Sequence, residues 1–150
     1  MSSKEIVFDI EANGLNPTVI WCVVAQEFGD NHDQHVFTTK EAFSEYVQQN
    51  EGALWYAHNG FGYDYRVLRD LWDVVIPEFN QRDTLVLSRL ASPSRDGGHG
   101  LSAWGNVLGY AKGEHHDWSC YSPAMLQYCK RDVQLSCHVL RKLKGELNGY

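Results

Sequence analysis

Glu5-Ile6-Val7-Phe8-Asp9-Ile10-Glu11-Ala12-Asn13-Gly14 is the stretch on which the reading of this 150-residue chain turns. Ile6, Phe8 and Ile10 alternate with Val7, Asp9 and Glu11, so a strand here sets Asp9 and Glu11 side by side on one face and apolar side chains on the other. Asn13-Gly14 is a turn signal, which puts the two acids where a strand runs out into a loop, the place where open α/β sheets hold ligands. Like charges a few ångströms apart resist joint ionisation unless a cation offsets them. A divalent metal meets that need; a strand with a polar, solvated face is the plainer alternative, and the rest of the chain has to decide between them.

Outward from this stretch, residues 18–28 are β-branched and aromatic and read as a core strand. Gly29-Asp30-Asn31 turns the chain into a third strand near His35-Val36-Phe37, which completes an antiparallel meander. Thr39 caps a helix from about Lys40 to Gln49, with Phe43, Tyr46 and Val47 at helical spacing. Ala53-Leu54-Trp55-Tyr56-Ala57 is a short apolar run of the kind found in buried parallel strands. It leads through His58-Asn59-Gly60-Phe61-Gly62-Tyr63 to a helix that Asp64 opens and that runs to about Trp72. Asp83-Thr84 starts another helix, whose apolar face is Leu85, Val86, Leu87 and Leu90. Ser92 to Gly100 is the one clearly flexible loop. Leu101–Leu108 is a short helix, an irregular stretch follows, and Pro123 opens a last long helix to about Glu146. In that helix Tyr128 and Asp132, four apart, share a face, while Met125, Leu135 and Val139 form the core stripe. The fold class is therefore α/β, a mixed sheet of antiparallel meander plus parallel strands flanked by helices, in one domain over 1–150.

Composition sets the bounds. With 43% apolar and 21% charged residues the chain is ordinary globular protein, without repeats or low-complexity tracts. No apolar run approaches the roughly 20 residues that span a bilayer, so no membrane partner is expected and the location expected is the cytoplasm. Cys22, Cys120, Cys129 and Cys137 lack metal-ligand spacing and read as reduced thiols, with zinc binding alongside His115 and His116 a minor alternative. A net charge of -6 weighs against nucleic acid, whose partners usually carry a basic footprint. Two divalent cations held by four of the nineteen acids would bring that charge to -2 and turn the site from repelling phosphate to attracting it.

Four carboxylates, Asp9, Glu11, Asp64 and Asp132, and the phenol of Tyr128 can converge at one end of such a sheet. Phosphodiester hydrolysis needs a nucleophilic water, charge neutralisation at phosphorus and help for the leaving oxygen, and two metals about 3.5–4 Å apart supply all three. Hard oxygen ligands select Mg²⁺ or Mn²⁺. In this reading Asp9 bridges both cations, Glu11 and Asp132 complete one site, and Asp64 holds the other through water. Tyr128 orients the attacking water, because a phenol of ordinary pKa about 10 is a poor base at neutral pH.

These segments resemble a known family. Phe8-Asp9-Ile10-Glu11, His58-Asn59 through Asp64, and Tyr128-x-x-x-Asp132 resemble, in order, the three motifs of the DnaQ-like (DEDD) 3′–5′ exonucleases in their tyrosine form. Gln127 stands where the histidine form of the family has its His. Asp9 to Gly14, Asp83 to Leu90, Ala103-Trp104-Gly105 and Lys112-Gly113-Glu114 are similar to segments of the proofreading domain of family A DNA polymerases of short-tailed phages. The resemblance implies a ribonuclease H-like fold, two divalent cations, Mg²⁺ or Mn²⁺, and a single-stranded 3′ end, DNA favoured, as substrate. It implies Leu15 as an apolar wedge against the terminal base and Asn59 as a polar neighbour of metals and substrate. Ala12, Asn13 and Phe61 complete the expected substrate contacts. Leu15 also fits a turn residue tucked into the core; Phe61, Tyr63 and Trp104 are candidates to stack on bases or to fill the core. Arg66, Arg82, Arg89, Arg95, Lys130 and Arg131 are candidates for phosphate contacts or ordinary surface charges.

Nothing after the third motif could polymerise DNA. Either a stand-alone exonuclease or a domain cut from something larger is expected, the start at Met1 and the frayed end at Leu147 to Tyr150 fitting the first better, with a separate DNA polymerase as a further partner and the host cytoplasm as its location if phage-encoded. An RNase D-like RNA or short-oligonucleotide exonuclease is the alternative within enzymes. A non-catalytic metal-binding interaction module is the alternative outside them.

Overall fold

Strand β1 (Glu5–Ala12) is the middle of a five-stranded sheet of order β3-β2-β1-β4-β5. Strands β2 (Ile20–Glu27) and β3 (Gln34–Phe37) form the antiparallel meander on one side, and β4 (Leu54–Ala57) and β5 (Gln81–Asp83) run parallel to β1 on the other. The computed structural model describes residues 3–30 and 32–148. Met1, Asn31 of the expected turn, and Gly149 and Tyr150 of the expected frayed end lie outside the described residues.

The alternation in β1 sorts the core into two layers. Ile6, Phe8, Ile10 and Ala12 face α1 (Lys40–Gln49) and α2 (Asp64–Trp72), packing with Phe43, Trp55, Val67 and Leu68. Val7, with Cys22, Val24 and Tyr56, faces α5 (Pro123–Leu147) and meets Cys129, Val133 and Leu140. Asp9 and Glu11 share the parity of Val7, so they point toward α5 and not toward bulk water. Helices α3 (Thr84–Ala91) and α4 (Leu101–Leu108) rest on the far side of α5, where Trp104 packs with Leu135, Val139 and Leu143.

Parallel pairing fixes the geometry of the site. Strand β4 pairs only with Glu5, Ile6 and Val7, so Asp9 and Glu11 extend beyond its end, and the chain leaving β4 turns back there to start α2 at Asp64. Gly60 permits that turn, because a Cβ would sit 2.7 Å from the Tyr65 ring and 2.9 Å from the Ala57 methyl. The Tyr65 hydroxyl lies 2.6 Å from both the Trp55 and Arg82 carbonyl oxygens and ties α2 to the two parallel strands.

Three expectations need correction. Strand β5 is too short to carry a sequence pattern and was not anticipated; it exists because Trp55, Tyr56 and Ala57 offer it a ladder. In α3 the buried positions are Thr84 and Ser88, not the leucines, and Leu90 is 68% exposed. The hydroxyls are inward because they bind histidines, Thr84 Oγ1 to His58 Nδ1 and Ser88 Oγ to His99 Nδ1. The 92–100 loop, read as flexible, is pinned at both ends of its course. Arg95 donates two hydrogen bonds to the Glu146 carboxylate and stacks 4.3 Å over Trp104, and His99 is held by Ser88.

Candidate active site

At the carboxyl ends of β1 and β4 a depression of about 230 Å³ is lined by Asp9, Glu11, Asp64, Tyr128 and Asp132, together with Leu15, Asn59, Tyr63 and Trp118. Each acid arrives by a different local rule. Strand parity aims Asp9 and Glu11, and the first turn of α2 presents Asp64. The Ser122 hydroxyl accepts from the Met125 amide at 3.1 Å and, with Pro123, sets the start and therefore the phase of α5, which brings Tyr128 and Asp132 round together.

Three of the four carboxylates are buried, and Asp9 is half-buried. Glu11, Asp64 and Asp132 are 5%, 3% and 5% exposed, and Asp64 Oδ2 and Asp132 Oδ1 are buried with no hydrogen-bond partner. Burial, and then the charge of Asp9, raise the Asp132 carboxyl to about 7 and hold Asp64 well above the ordinary range. Burial raises Asp9 and Glu11 as well, and the Asp9 charge lifts Glu11 further. Buried, mutually repelling oxygens without donors are what a hard cation would satisfy, so the donor set fits Mg²⁺ or Mn²⁺. Cys129 Sγ lies 3.7 Å from Asp9 Oδ2, and Asp9, Glu11 and Cys129 form, among the described residues, the one tight group of three candidate ligand side chains. Burial keeps that thiol protonated, so it supports Asp9 from behind and does not compete for a hard ion.

Tyr128 is half-buried beside the acids. The Lys112 ammonium donates to its hydroxyl, lies 4.2 Å over its ring and stands 3.4 Å from Asp132 Oδ2. Burial and the Asp132 charge raise the phenol above its ordinary value while Lys112 opposes them, so at neutral pH Tyr128 keeps its proton and can position a water but not deprotonate it. Lys112 reaches this place because Gly105 of α4 has no side chain; a Cβ there would meet the Tyr110 carbonyl oxygen at 2.7 Å and the Lys112 nitrogen at 3.1 Å.

The expected substrate contacts divide. Leu15 is 84% exposed at the rim of the depression, which rules out the buried turn residue. Asn59 lines the depression in a left-handed conformation, φ 63°, held by its amide donating to Asp83 Oδ1 at 2.9 Å. The Asn13 side chain is spent on its own turn, accepting from the Thr18 and Val19 amides, and Ala12 is buried at a register shift in β1. Phe61 is 52% exposed but does not line the depression, and Trp104, a stacking candidate, is buried at 1%. Among the basic candidates, Arg82 donates to the Phe79 and Gln81 carbonyls, Arg95 to Glu146, and Arg131 to the Ala111 carbonyl, so these three serve the fold.

Sequence reasoning missed Lys112, Trp118 and the positioning acid Asp83, whose carboxylate accepts from the Asn59, Phe61 and Leu85 amides. Asp83 was seen as a helix start and as part of a segment of resemblance, with no role at the site. A lone tryptophan in the polar run from Glu114 to Ser119 was the available signal for Trp118.

No protein-family model matches the chain. It is 30% identical, over a 189-residue alignment covering 94% of the chain, to the DNA-directed DNA polymerases of Enterobacteria phage T3 and Escherichia phage T7, and spans 27% of their length. Among solved structures, Brucella melitensis NrnC superposes with a TM-score of 0.76 at 22% identity, over 98% of this chain and 75% of that one. NrnC with bound Mg²⁺ and NrnC bound to pGG superpose at 0.75 and 0.74. E. coli Exonuclease I in complex with a dT13 oligonucleotide superposes at 0.67 with 14% identity, over 95% of this chain and 41% of that one.

Proposed function

We propose that this chain, whose sequence and fold are those of the DnaQ-like 3′–5′ exonucleases, hydrolyses the terminal phosphodiester of a single-stranded DNA 3′ end and releases nucleoside 5′-monophosphates. One observation carries the reading: four carboxylates, three of them buried and two with unpartnered oxygens, share a depression with a protonated phenol at the open end of a sheet. Asp9, Glu11, Asp64 and Asp132 would hold the divalent cations, Mg²⁺ or Mn²⁺, two in number in this reading. Bound there, the cations supply charge neutralisation around phosphorus and an acidified water.

The chain's own groups do the rest. Tyr128 hydrogen-bonds the attacking water and fixes its line of approach, with Lys112 holding the phenol in place. The water oxygen bonds to phosphorus and gives up a proton to solvent, the bond from phosphorus to the 3′ oxygen breaks, and that oxygen takes a proton from solvent. Asn59 and the exposed Leu15 position the terminal nucleotide. The likeness to phage DNA polymerases supports, within this reading, a DNA polymerase as partner and, for a phage-encoded chain, the host cytoplasm as location.

A 5′-labelled single strand incubated with Mg²⁺ or Mn²⁺ tests the reading. A ladder shortened stepwise from the 3′ end, abolished by chelator and by Asp9→Ala assayed beside the wild type, is expected. A strand left intact overturns it and favours a metal-binding interaction module. A second reading, a short-oligonucleotide or RNA exonuclease, is favoured by the match to NrnC bound to pGG across 98% of the chain. Comparing pGG, an RNA strand and a DNA strand in one assay separates the two.

A further inference from the structure

Behind the acids, α5 sets a thiol against β1 that hydrolysis does not use. Cys129 stands three residues before Asp132, so helical spacing turns the two toward the same strand. Its Sγ lies 3.6 Å from the Asp9 carbonyl oxygen and 3.7 Å from Asp9 Oδ2, and the ligand atoms of Asp9, Glu11 and Cys129 all fall within 4.8 Å of one another. The thiol is fully buried, and the depression lined by Asp9 and Glu11 is the path by which an ion meets it. Mg²⁺ and Mn²⁺ take oxygen ligands and leave the sulfur idle. The distances suit another class of ion. Zinc held by sulfur at about 2.3 Å and by a carboxylate oxygen at about 2.1 Å, with a tetrahedral angle between them, sets those two atoms about 3.6 Å apart. The 3.7 Å between Cys129 Sγ and Asp9 Oδ2 meets that edge with little rearrangement. Asp132 Oδ1, buried without a partner on a side chain that lines the same depression, is available as a fourth donor. No sequence spacing announces this set, because Cys129 and Asp9 are 120 residues apart.

We propose that Asp9, Glu11 and Cys129 form a site for a thiophilic divalent cation of the zinc class, an occupant distinct from the hard cations that the carboxylates alone select. Binding exchanges the sulfur–hydrogen bond of Cys129 for a sulfur–metal bond, and the proton leaves to solvent. Asp9 and Glu11 belong to both sites, so filling one excludes the other. A thiolate ligand favours Zn²⁺ over Mn²⁺ beyond the advantage that Zn²⁺ already holds on oxygen ligands. The site itself stands apart from the exonuclease reading. Its consequence rests on that reading: a thiophilic ion lodged against Cys129 switches hydrolysis off.

The test adds Co²⁺, a spectroscopic stand-in for Zn²⁺, to the metal-free full chain under reducing conditions. Wild type should develop a thiolate-to-cobalt charge-transfer band in the near ultraviolet that saturates at one equivalent, and Zn²⁺ should bleach it. Cys22→Ser, Cys120→Ser and Cys137→Ser, made singly, should keep the band, which assigns it to Cys129 even where a Cys129 variant fails to fold. Cys129→Ser and Cys129→Ala should lose it. By calorimetry they should also lose Zn²⁺ affinity by at least the roughly 10- to 100-fold that removal of an outer partner of a metal site costs, with Mn²⁺ affinity nearly unchanged. No band in the wild type, a band that survives in the Cys129 variants, or equal losses of Zn²⁺ and Mn²⁺ affinity overturns the inference. In a Mg²⁺-supported nuclease assay, Zn²⁺ should inhibit the wild type at a concentration at least roughly 10-fold lower than it needs for Cys129→Ser. Equal inhibition of the two overturns the switch. A wild type that shows the band but leaves the strand intact overturns the exonuclease reading and supports the metal site.

Discussion

At the scale of single residues, the chemistry is divided between groups that hold charge and groups that hold direction. In the proposed mechanism Tyr128 belongs to the second kind, since burial keeps its proton on. Tyr128→Phe is therefore expected to lower kcat by roughly 10²–10⁴ while calorimetric Mn²⁺ binding is nearly unchanged. Lys112 fixes the phenol and faces Asp132. Lys112→Met should lower kcat by about 10- to 100-fold, in the range of losses that follow removal of a group orienting a metal site, and assays beside Tyr128→Phe should show the two losses to be less than additive. Asp9, Glu11, Asp64, Tyr128 and Asp132 were legible in the sequence because strand alternation and helical spacing are local patterns. Lys112 and Trp118 were not, because an irregular segment has no period and its side chains are aimed by distant partners such as Trp21 and Gly105.

Among the elements, β1 and α5 bear most of the site, and both could be read from sequence almost to the residue. Both present long apolar stripes, β1 ending at the Asn13-Gly14 turn and α5 opening at the Ser122 cap with Pro123. The short strand β5 and the buried face of α3 could not be read, since each is fixed by tertiary partners: a ladder offered by β4 in one case, and His58 and His99 in the other. Helix α4 shows how an element far from the acids bears on them. Gly105→Ala sets a methyl against backbone atoms of Tyr110 and Lys112, so it should destabilise the protein by roughly 1–3 kcal/mol in urea unfolding. It should also lower kcat in the manner of Lys112→Met, because the strap that delivers the ammonium is displaced. An activity unaffected by Gly105→Ala would detach that strap from catalysis.

For the whole molecule, the site stores electrostatic stress. The folded pKa values of Asp9, Glu11, Asp64 and Asp132 lie above their ordinary values, so the folded chain retains protons that the unfolded chain gives up. Their contribution to stability is complete below the ordinary carboxylate range and is lost as pH rises through the raised values, that of Asp132 being about 7. Without metal, Tm should therefore fall between pH 5 and pH 8, Glu11→Gln should blunt the fall, and Mg²⁺ should raise Tm more at pH 8 than at pH 5 by thermal denaturation. A metal-free Tm that rises steadily over this interval would show that these carboxyls ionise without strain. In the proposed function, cations held by these acids would turn a chain of net charge -6 into a receiver of phosphate. Anomalous scattering from a crystal grown with Mn²⁺ and a nucleoside 5′-monophosphate addresses this most directly. Two Mn²⁺ peaks about 3.5–4 Å apart, both touching Asp9, with Glu11 and Asp132 on one and Asp64 near the other, are expected. Peaks elsewhere, or none at Asp9, would contradict the assignment of these four side chains as a metal cage.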